Sequence, residues 1–126
     1  MQFEHSEKSK NLQSILHRFM DEYIYPNERR YRSELEAATN RFAPVPIMDT
    51  LKDHAKQMGL WNLFVPPALS KYVDHEGLSN VDYAPLAEMM GRVIWSPEVF
   101  NCNAPDTGNM EVFMKYATPT QQKLWL

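Results

Sequence analysis

Residues 12–23, "LQSILHRFMDEY", decide the fold class. Their apolar side chains recur at i, i+3 and i+4, which is the spacing of one buried stripe on an α-helix. The stripe consists of Leu12, Ile15, Leu16, Phe19, Met20 and Tyr23. Pro26 ends or bends this helix, because a proline ring clashes with the carbonyl four residues before it. The charged, alanine-containing stretch at 27–38 predicts a second, short helix with a weak apolar face.

Further helical signals follow. Residues 43–46, "APVP", predict an extended linker, since a residue before proline avoids the helical region. A third amphipathic helix is marked by Met48, Leu51, Ala55 and Met58, and Gly59 is placed to cap its end. Residues 60–78 are predicted to be a loop whose apolar part packs on the helices, because Pro66 and Pro67 stop the apolar run and no partner strand is visible.

Three more helix starts complete the prediction. Ser79–Asp82 has the spacing of a capping box, although Pro85 implies that this helix either starts late or kinks. Ser96 is predicted to cap a helix with Pro97 at its first position, and residues 118–121, "TPTQ", carry both the capping residue and the Gln of a capping box. The fold class is therefore all-α, a helical bundle or orthogonal array without significant strands.

Composition excludes several functional classes. A chain of 126 residues predicts one domain, 1–126. The net charge of −3 and the pI near 5.8 argue against a nucleic-acid binder, since phosphate attraction needs a basic surface. No window approaches 18 apolar residues, so no membrane span is predicted. The one cysteine, Cys102, excludes an internal disulfide and fits a reducing compartment. The location that we expect is the cytoplasm, or the mitochondrion or peroxisome in a eukaryote.

Motifs for catalysis and metal binding are absent from the sequence. The four histidines are His5, His17, His54 and His75, and none lies three or four residues from another, so no metal site is predicted. Cys102 has no neighbouring base in sequence and is predicted to be a buried small side chain. Six methionines lie at helical spacings and can be either core filler or the lining of an adaptable apolar pocket: Met48, Met58, Met89, Met90, Met110 and Met114.

The stretch at 101–113, "NCNAPDTGNMEVF", combines polar residues with a helical apolar pattern. If a helix starts at Pro97, then one of its faces carries Val99, Cys102, Asn103 and Asp106. Alternatively, Asp106 caps a new helix that starts at Thr107. In either case a buried polar side chain needs a partner, so these residues either cap helix ends or line a ligand cavity.

The chain resembles a known family in the order of four segments: "YIYPNE", "MGLWNLFVPP", "LSNVDYAPLAEMMGR" and "NCNAPDTGNMEVFMKYATPTQQKLWL". Together they are similar to the N-terminal helical domain of the acyl-CoA dehydrogenases. The segment "APDTGNMEV" is similar to the branch that handles longer or 4-hydroxylated acyl-CoAs.

The resemblance implies an FAD enzyme that oxidises acyl-CoA to trans-2-enoyl-CoA, with a glutamate base and an electron-transfer partner, as a homo-oligomer. It also implies that the flavin site and the base belong to a middle β-domain and a C-terminal helical domain that this chain lacks, so that the chain alone is inactive and carries no catalytic or cofactor-binding residue. With Gly108 aligned to the family glycine, the acyl-tail end of the pocket falls on Val99 and Asn103, then on Cys102 and Asp106.

Two other functions fit the residues. One is a stand-alone helical interaction module, and the other is a small carrier that binds an apolar ligand among its methionines. We also expect the apolar end Leu124–Trp125–Leu126 and the loop at 60–67 to be exposed in the isolated chain, as surfaces that dock on another domain.

Overall fold

The computed structural model describes residues 4–40 and 42–126. Across these residues the secondary structure is helical, with no strand, and the predicted all-α class is confirmed. The α-helices are α1 Glu7–Phe19, α2 Glu28–Ala37, α3 Pro46–Gln57, α4 Asn80–Met90, α5 Ser96–Val99, α6 Asp106–Tyr116 and α7 Pro119–Trp125.

The first two helices follow the apolar pattern. Helix α1 buries Leu16 and Phe19 and passes into a wider π-helical turn, Met20–Ile24. A 3-10 turn at Tyr25–Asn27 contains Pro26 and precedes α2, so the predicted break is confirmed. Helix α2 has no buried residue, in agreement with its weak apolar face.

The third helix begins at Pro46, directly after the extended residue Val45. Gly59 has φ +70°, the left-handed conformation predicted for the residue after the helix end. The following loop contains a 3-10 helix, Pro67–Tyr72. Leu60, Leu63 and Val65 are fully or almost fully buried, so this apolar loop packs on the helices as predicted. The expectation that the 60–67 loop would be exposed is wrong for these three side chains, because they fill the core.

Helix α4 starts at Asn80 and runs through Pro85, so the predicted late start is wrong. Ser79 Oγ accepts a hydrogen bond from the Asp82 backbone N–H at 3.2 Å, which confirms half of the capping box. The Asp82 carboxylate, however, accepts from the backbone N–H of Ser6 at 3.1 Å, and Ser9 Oγ donates to the Asp82 carbonyl at 2.7 Å. The starts of α1 and α4 are therefore tied together.

The remaining helix starts differ in their caps. Thr118 and Gln121 form the predicted capping box at the start of α7, with N–H to oxygen distances of 3.3 and 2.9 Å. The prediction that Ser96 caps α5 is wrong: Ser96 is the first residue of the helix, and its hydroxyl donates to the Met90 carbonyl.

The core lies where α1, α3, α4 and the 60–65 loop meet. Of the six methionines, Met48, Met90 and Met114 are buried and the others are half-buried, which favours the core-filler alternative. The apolar end of α7 is exposed as expected: Leu124, Trp125 and Leu126 are 71%, 68% and 47% exposed. Within the described residues, no helix has both the length and the apolar character needed to cross a membrane.

Candidate functional site

The segment 99–106 is a turn between two helices and not one continuous helix. Helix α5 is one turn long and ends at Val99, after which Asn101 takes a left-handed conformation with φ +53°. The backbone N–H groups of Asn101 and Cys102 close this turn by bonding to the carbonyls of Glu98 and Pro97 at 3.1 and 2.9 Å. Of the two alternatives, the one in which residues 99, 102, 103 and 106 share one helical face is therefore wrong, because a left-handed residue ends the helical register.

Val99 forms the buried base of this segment. It and Phe100 are both 0% exposed, and the Phe100 ring meets Phe19 edge-on with 5.2 Å between ring centroids. The salt bridge between Lys52 Nζ and Glu98 Oε1, at 2.7 Å, fixes α5 to α3. The Val99 side chain thus faces the core, and packing of Val99 and Phe100 in the core holds the segment in place.

Asn103 is the residue with an unfilled hydrogen-bonding capacity. Its side-chain Oδ1 is buried and has no hydrogen-bond partner among the described residues. Its Nδ2 lies 3.4 Å from Asp106 Oδ2 and 3.5 Å from the Ala104 carbonyl. Turning the amide over would set its oxygen against the Asp106 carboxylate, so this orientation is the favourable one. A buried acceptor without a donor costs about 1–3 kcal/mol, and a side-chain movement that brought this oxygen to a donor on a ligand would recover that free energy.

Asp106 is exposed and is the first residue of α6. The new helix predicted from Thr107 therefore exists and begins one residue earlier. Neither Asp106 nor Asn103 caps it with a side chain, because the capping position is Pro105 and no side-chain cap is formed. The backbone carbonyl of Asn103 accepts a hydrogen bond from the Thr107 N–H at 3.1 Å, in the first turn of the helix.

Cys102 is a protonated thiol packed against the core. Burial raises the pKa of the Cys102 thiol, although hydrogen bonds from Phe64, Tyr83 and Leu63 act in the opposite direction. Burial likewise raises the pKa of the Tyr83 hydroxyl, with the neighbouring Cys102 as the second cause. The Cys102 Sγ lies 3.3 Å from the Phe100 carbonyl. A neutral thiol is a poor nucleophile, so this side chain can pack against a ligand but is not set up to attack one.

A pair of asparagines that the sequence reasoning missed holds the segment in place. Asn62 and Asn101 both have positive φ, and Asn101 Nδ2 donates to Asn62 Oδ1 at 2.7 Å. The same Nδ2 lies 3.4 Å from the sulfur of Met110, and the Asn62 N–H donates to the Phe100 carbonyl at 3.0 Å. The available signal was residue type, since asparagine tolerates the left-handed region better than other non-glycine residues.

His75 lies behind this pair as a neutral imidazole. Its Nδ1 accepts from the Gly77 N–H at 3.0 Å, so the ring proton is on Nε2, which lies 3.2 Å from the Asn62 carbonyl. Burial lowers the pKa of His75 and keeps the ring neutral. A cavity of about 470 Å³ is lined by His75, Asn62, Trp61 and Tyr72 among others. The described residues contain no group of three or more His, Cys, Asp or Glu side chains that could hold a metal ion.

No protein-family model matches the chain. It is 41% identical over 118 residues to acyl-CoA dehydrogenase family member 10 of Mus musculus, covering 93% of this chain and 11% of that protein. It is 41% identical over 127 residues to acyl-CoA dehydrogenase family member 11 of Gallus gallus, covering 98% of this chain and 15% of that protein. A solved structure from Mycobacterium abscessus, assigned as an acyl-CoA dehydrogenase, matches with a TM-score of 0.80 and 42% identity over 98% of this chain and 31% of its own. The chain thus spans about a tenth to a third of the length of these relatives.

Proposed function

Because this chain is homologous to one helical segment of the acyl-CoA dehydrogenases, we propose that it forms the acyl-tail wall of the substrate pocket in an enzyme of that family. The reaction of the whole enzyme is the α,β-dehydrogenation of an acyl-CoA to the trans-2-enoyl-CoA. The segment 99–106 is the part of the chain that borders the acyl tail. Val99 backs this wall from the core, Cys102 supplies a neutral surface, and Asn103 and Asp106 supply polar groups.

The observation that carries the proposal is the buried Oδ1 of Asn103, which lacks a donor among the described residues. A hydroxyl on the acyl chain is a donor of suitable size, because it can give one hydrogen bond without adding charge to a partly buried site. An unsubstituted acyl chain leaves Oδ1 of Asn103 without a hydrogen-bond donor. We therefore propose that the preferred substrate is a hydroxylated acyl-CoA, in keeping with the 4-hydroxyacyl-CoA branch.

The asparagine pair positions this acceptor. Asn101 precedes Asn103 by two residues, and its bond to Asn62 fixes the turn on the well-packed 60–65 loop. A positioned acceptor discriminates better than a mobile one, because the interaction needs no further ordering when the substrate binds. Asn62 and Asn101 are thus positioning residues in this proposal and do not contact substrate.

The chain has no Rossmann-type site for the flavin. Its four glycines stand singly at 59, 77, 91 and 108, so it has no glycine-rich turn of the kind that holds the phosphates of a dinucleotide. We propose that FAD, the catalytic base and the contacts with the electron-transfer partner and other subunits belong to parts of the enzyme outside these 126 residues. This chain by itself then neither holds flavin nor oxidises acyl-CoA.

A chimaera tests the proposal. This chain replaces the matching segment of the Mycobacterium abscessus protein, and kcat/KM is measured for a 4-hydroxyacyl-CoA and for the unsubstituted acyl-CoA of equal length. Asn103→Ala is expected to lower the ratio of the two values by about tenfold, since one hydrogen bond to a buried acceptor is lost. Asn109→Ala, at an exposed position on α6, is the matched control and is expected to leave the ratio unchanged.

Two outcomes would contradict different parts of the proposal, one the role of Asn103 and the other the assignment of this chain to the pocket. If Asn103→Ala leaves the ratio unchanged while the chimaera remains active, the role of Asn103 is wrong. If the folded chimaera oxidises neither substrate although the parent enzyme does, the assignment of this chain to the acyl-CoA pocket is wrong.

A further inference from the structure

A second concave surface lies along α2, and none of its lining residues belongs to the segment 99–106. This groove has a volume of about 370 Å³ and is lined by Glu28, Arg29, Tyr31, Arg32, Leu35 and Trp95. Its volume falls within the range of small-molecule pockets, about 300–1,000 Å³. We call it the α2 groove.

The floor of the α2 groove is aromatic. The rings of Tyr31 and Trp95 are stacked, with 4.3 Å between centroids and 9° between planes. Burial raises the pKa of the Tyr31 hydroxyl, and the negative charge of Glu98 raises it further. Leu35 extends this floor and is 44% exposed. A flat, apolar group can therefore lie against an already ordered surface.

The rim of the groove is cationic. Arg29 and Arg32 form no ion pair or hydrogen bond with another described residue, whereas Arg30, on the neighbouring face of α2, donates to Glu34 at 2.7 Å. Glu28 also lines the groove, so the lining carries two positive charges and one negative charge. Guanidinium groups bind phosphate and carboxylate with paired hydrogen bonds and stack on planar rings.

From these features we propose that the α2 groove binds a small organic anion that carries a planar ring, with the ring against Trp95 and Leu35 and the anionic group between Arg29 and Arg32. A nucleoside monophosphate is the representative of this class. A polyanion such as nucleic acid is disfavoured, because two arginines on a chain of net charge −3 cannot neutralise a phosphate backbone.

The test compares a ligand that carries both the ring and the anionic group with ligands that carry only one of them. Adenosine 5′-monophosphate, adenosine and ribose 5-phosphate are titrated into the protein, and the indole N–H signal of Trp95 is followed by NMR after assignment with Trp95→Phe. The monophosphate is expected to shift the Trp95 signal and to bind at least about tenfold more tightly than either part alone, because each part makes only one of the two contacts.

Variants locate the site. Arg29→Gln with Arg32→Gln is expected to weaken binding of the monophosphate at least about tenfold, and Leu35→Glu is expected to abolish it by placing a carboxylate in the groove. Arg18→Gln on α1, which does not line the groove, is the control. Circular dichroism verifies that each variant is folded. The proposal is overturned if the monophosphate leaves the Trp95 signal unmoved, or if the double variant binds it as tightly as the original chain.

Discussion

Asn101 Nδ2 donates to Asn62 Oδ1 at 2.7 Å, and the two asparagines are also the non-glycine residues with positive φ in the described chain, at +53° and +61°. The hydrogen bond thus joins two residues whose backbones are both left-handed. The pair joins the buried 60–65 loop to the turn that carries Asn103.

Replacing Asn101 tests this link. Asn101→Ala loses the side-chain hydrogen bond and also places alanine in a left-handed conformation, so the free energy of unfolding is expected to fall by about 2–3 kcal/mol. Asn101→Gly loses the hydrogen bond but accepts the backbone conformation and is expected to cost about 1 kcal/mol. Urea unfolding measures both. Equal losses in the two variants would show that the left-handed backbone at this position carries no strain.

Two glycines with positive φ differ in their surroundings and form a matched pair. A Cβ on Gly77 would lie 2.5 Å from the Pro67 nitrogen and 2.6 Å from the Pro66 carbonyl carbon, whereas a Cβ on Gly59 meets nothing within 4 Å. Gly59→Ala is expected to cost about 1–2 kcal/mol from its backbone conformation alone. Gly77→Ala adds a clash with backbone atoms and is expected to cost at least about 4 kcal/mol or to prevent folding. Thermal and urea unfolding compare them, and similar losses for the two variants would contradict the close approach at Gly77.

Lowering the pH should reduce the free energy of unfolding through protonation of His75. Burial, with a smaller contribution from Lys8, lowers its pKa below the ordinary 6.5, while the Asn62 and Trp61 carbonyls and Asp74 oppose the shift. The unfolded chain therefore takes up this proton at a higher pH than the folded chain does. The contribution of His75 to stability is present above pH 6.5 and is lost as the pH falls through the lowered pKa.

The measurement is the free energy of unfolding at pH 7.5 and at pH 5.5. The original chain is expected to lose more stability over this interval than His75→Gln does. Asn109→Gln, at an exposed position on α6, changes no ionisable group; it is the control and should keep the full loss. If His75→Gln loses as much stability as the original chain, the imidazole is not the acid-sensitive group.

The apolar face of α6 and α7 should be adhesive in the isolated chain. Tyr116, Leu124 and Trp125 are 81%, 71% and 68% exposed, and large apolar side chains exposed to this extent favour association. Leu124→Ser with Trp125→Ser is expected to reduce the binding of a hydrophobic dye at least about twofold while changing stability by less than about 0.5 kcal/mol, since exposed side chains add little to the core. Val81→Ser, at another exposed position, is the control. Unchanged dye fluorescence in the double variant would place the adhesive surface elsewhere.

The helices themselves could be predicted from neighbouring residues. The stripe of α1, the break at Pro26, the left-handed Gly59 and the capping box of Thr118 and Gln121 all depend on contacts within about one helical turn, and such contacts are written in the local sequence. The same local patterns carried the family resemblance, because the motifs that define it are these helices and their ends.

The geometry of the site depends on hydrogen-bond partners that are far apart in the sequence. Asn62 and Asn101 are 39 residues apart, and Ser6 and Asp82 are 76 apart, so no local spacing reveals either bond. Local spacing allowed either one helix through residues 99–106 or a new helix from Thr107, and it could not choose between them. The structure has a left-handed turn at Asn101, with Phe100 buried beside it. Local sequence thus determined which segments of this protein are helical, and tertiary contacts decided where α5 ends and that Asn103 keeps a buried oxygen without a donor. The physical reason is that periodicity and capping act over three or four residues, whereas the satisfaction of a buried polar group depends on everything packed around it.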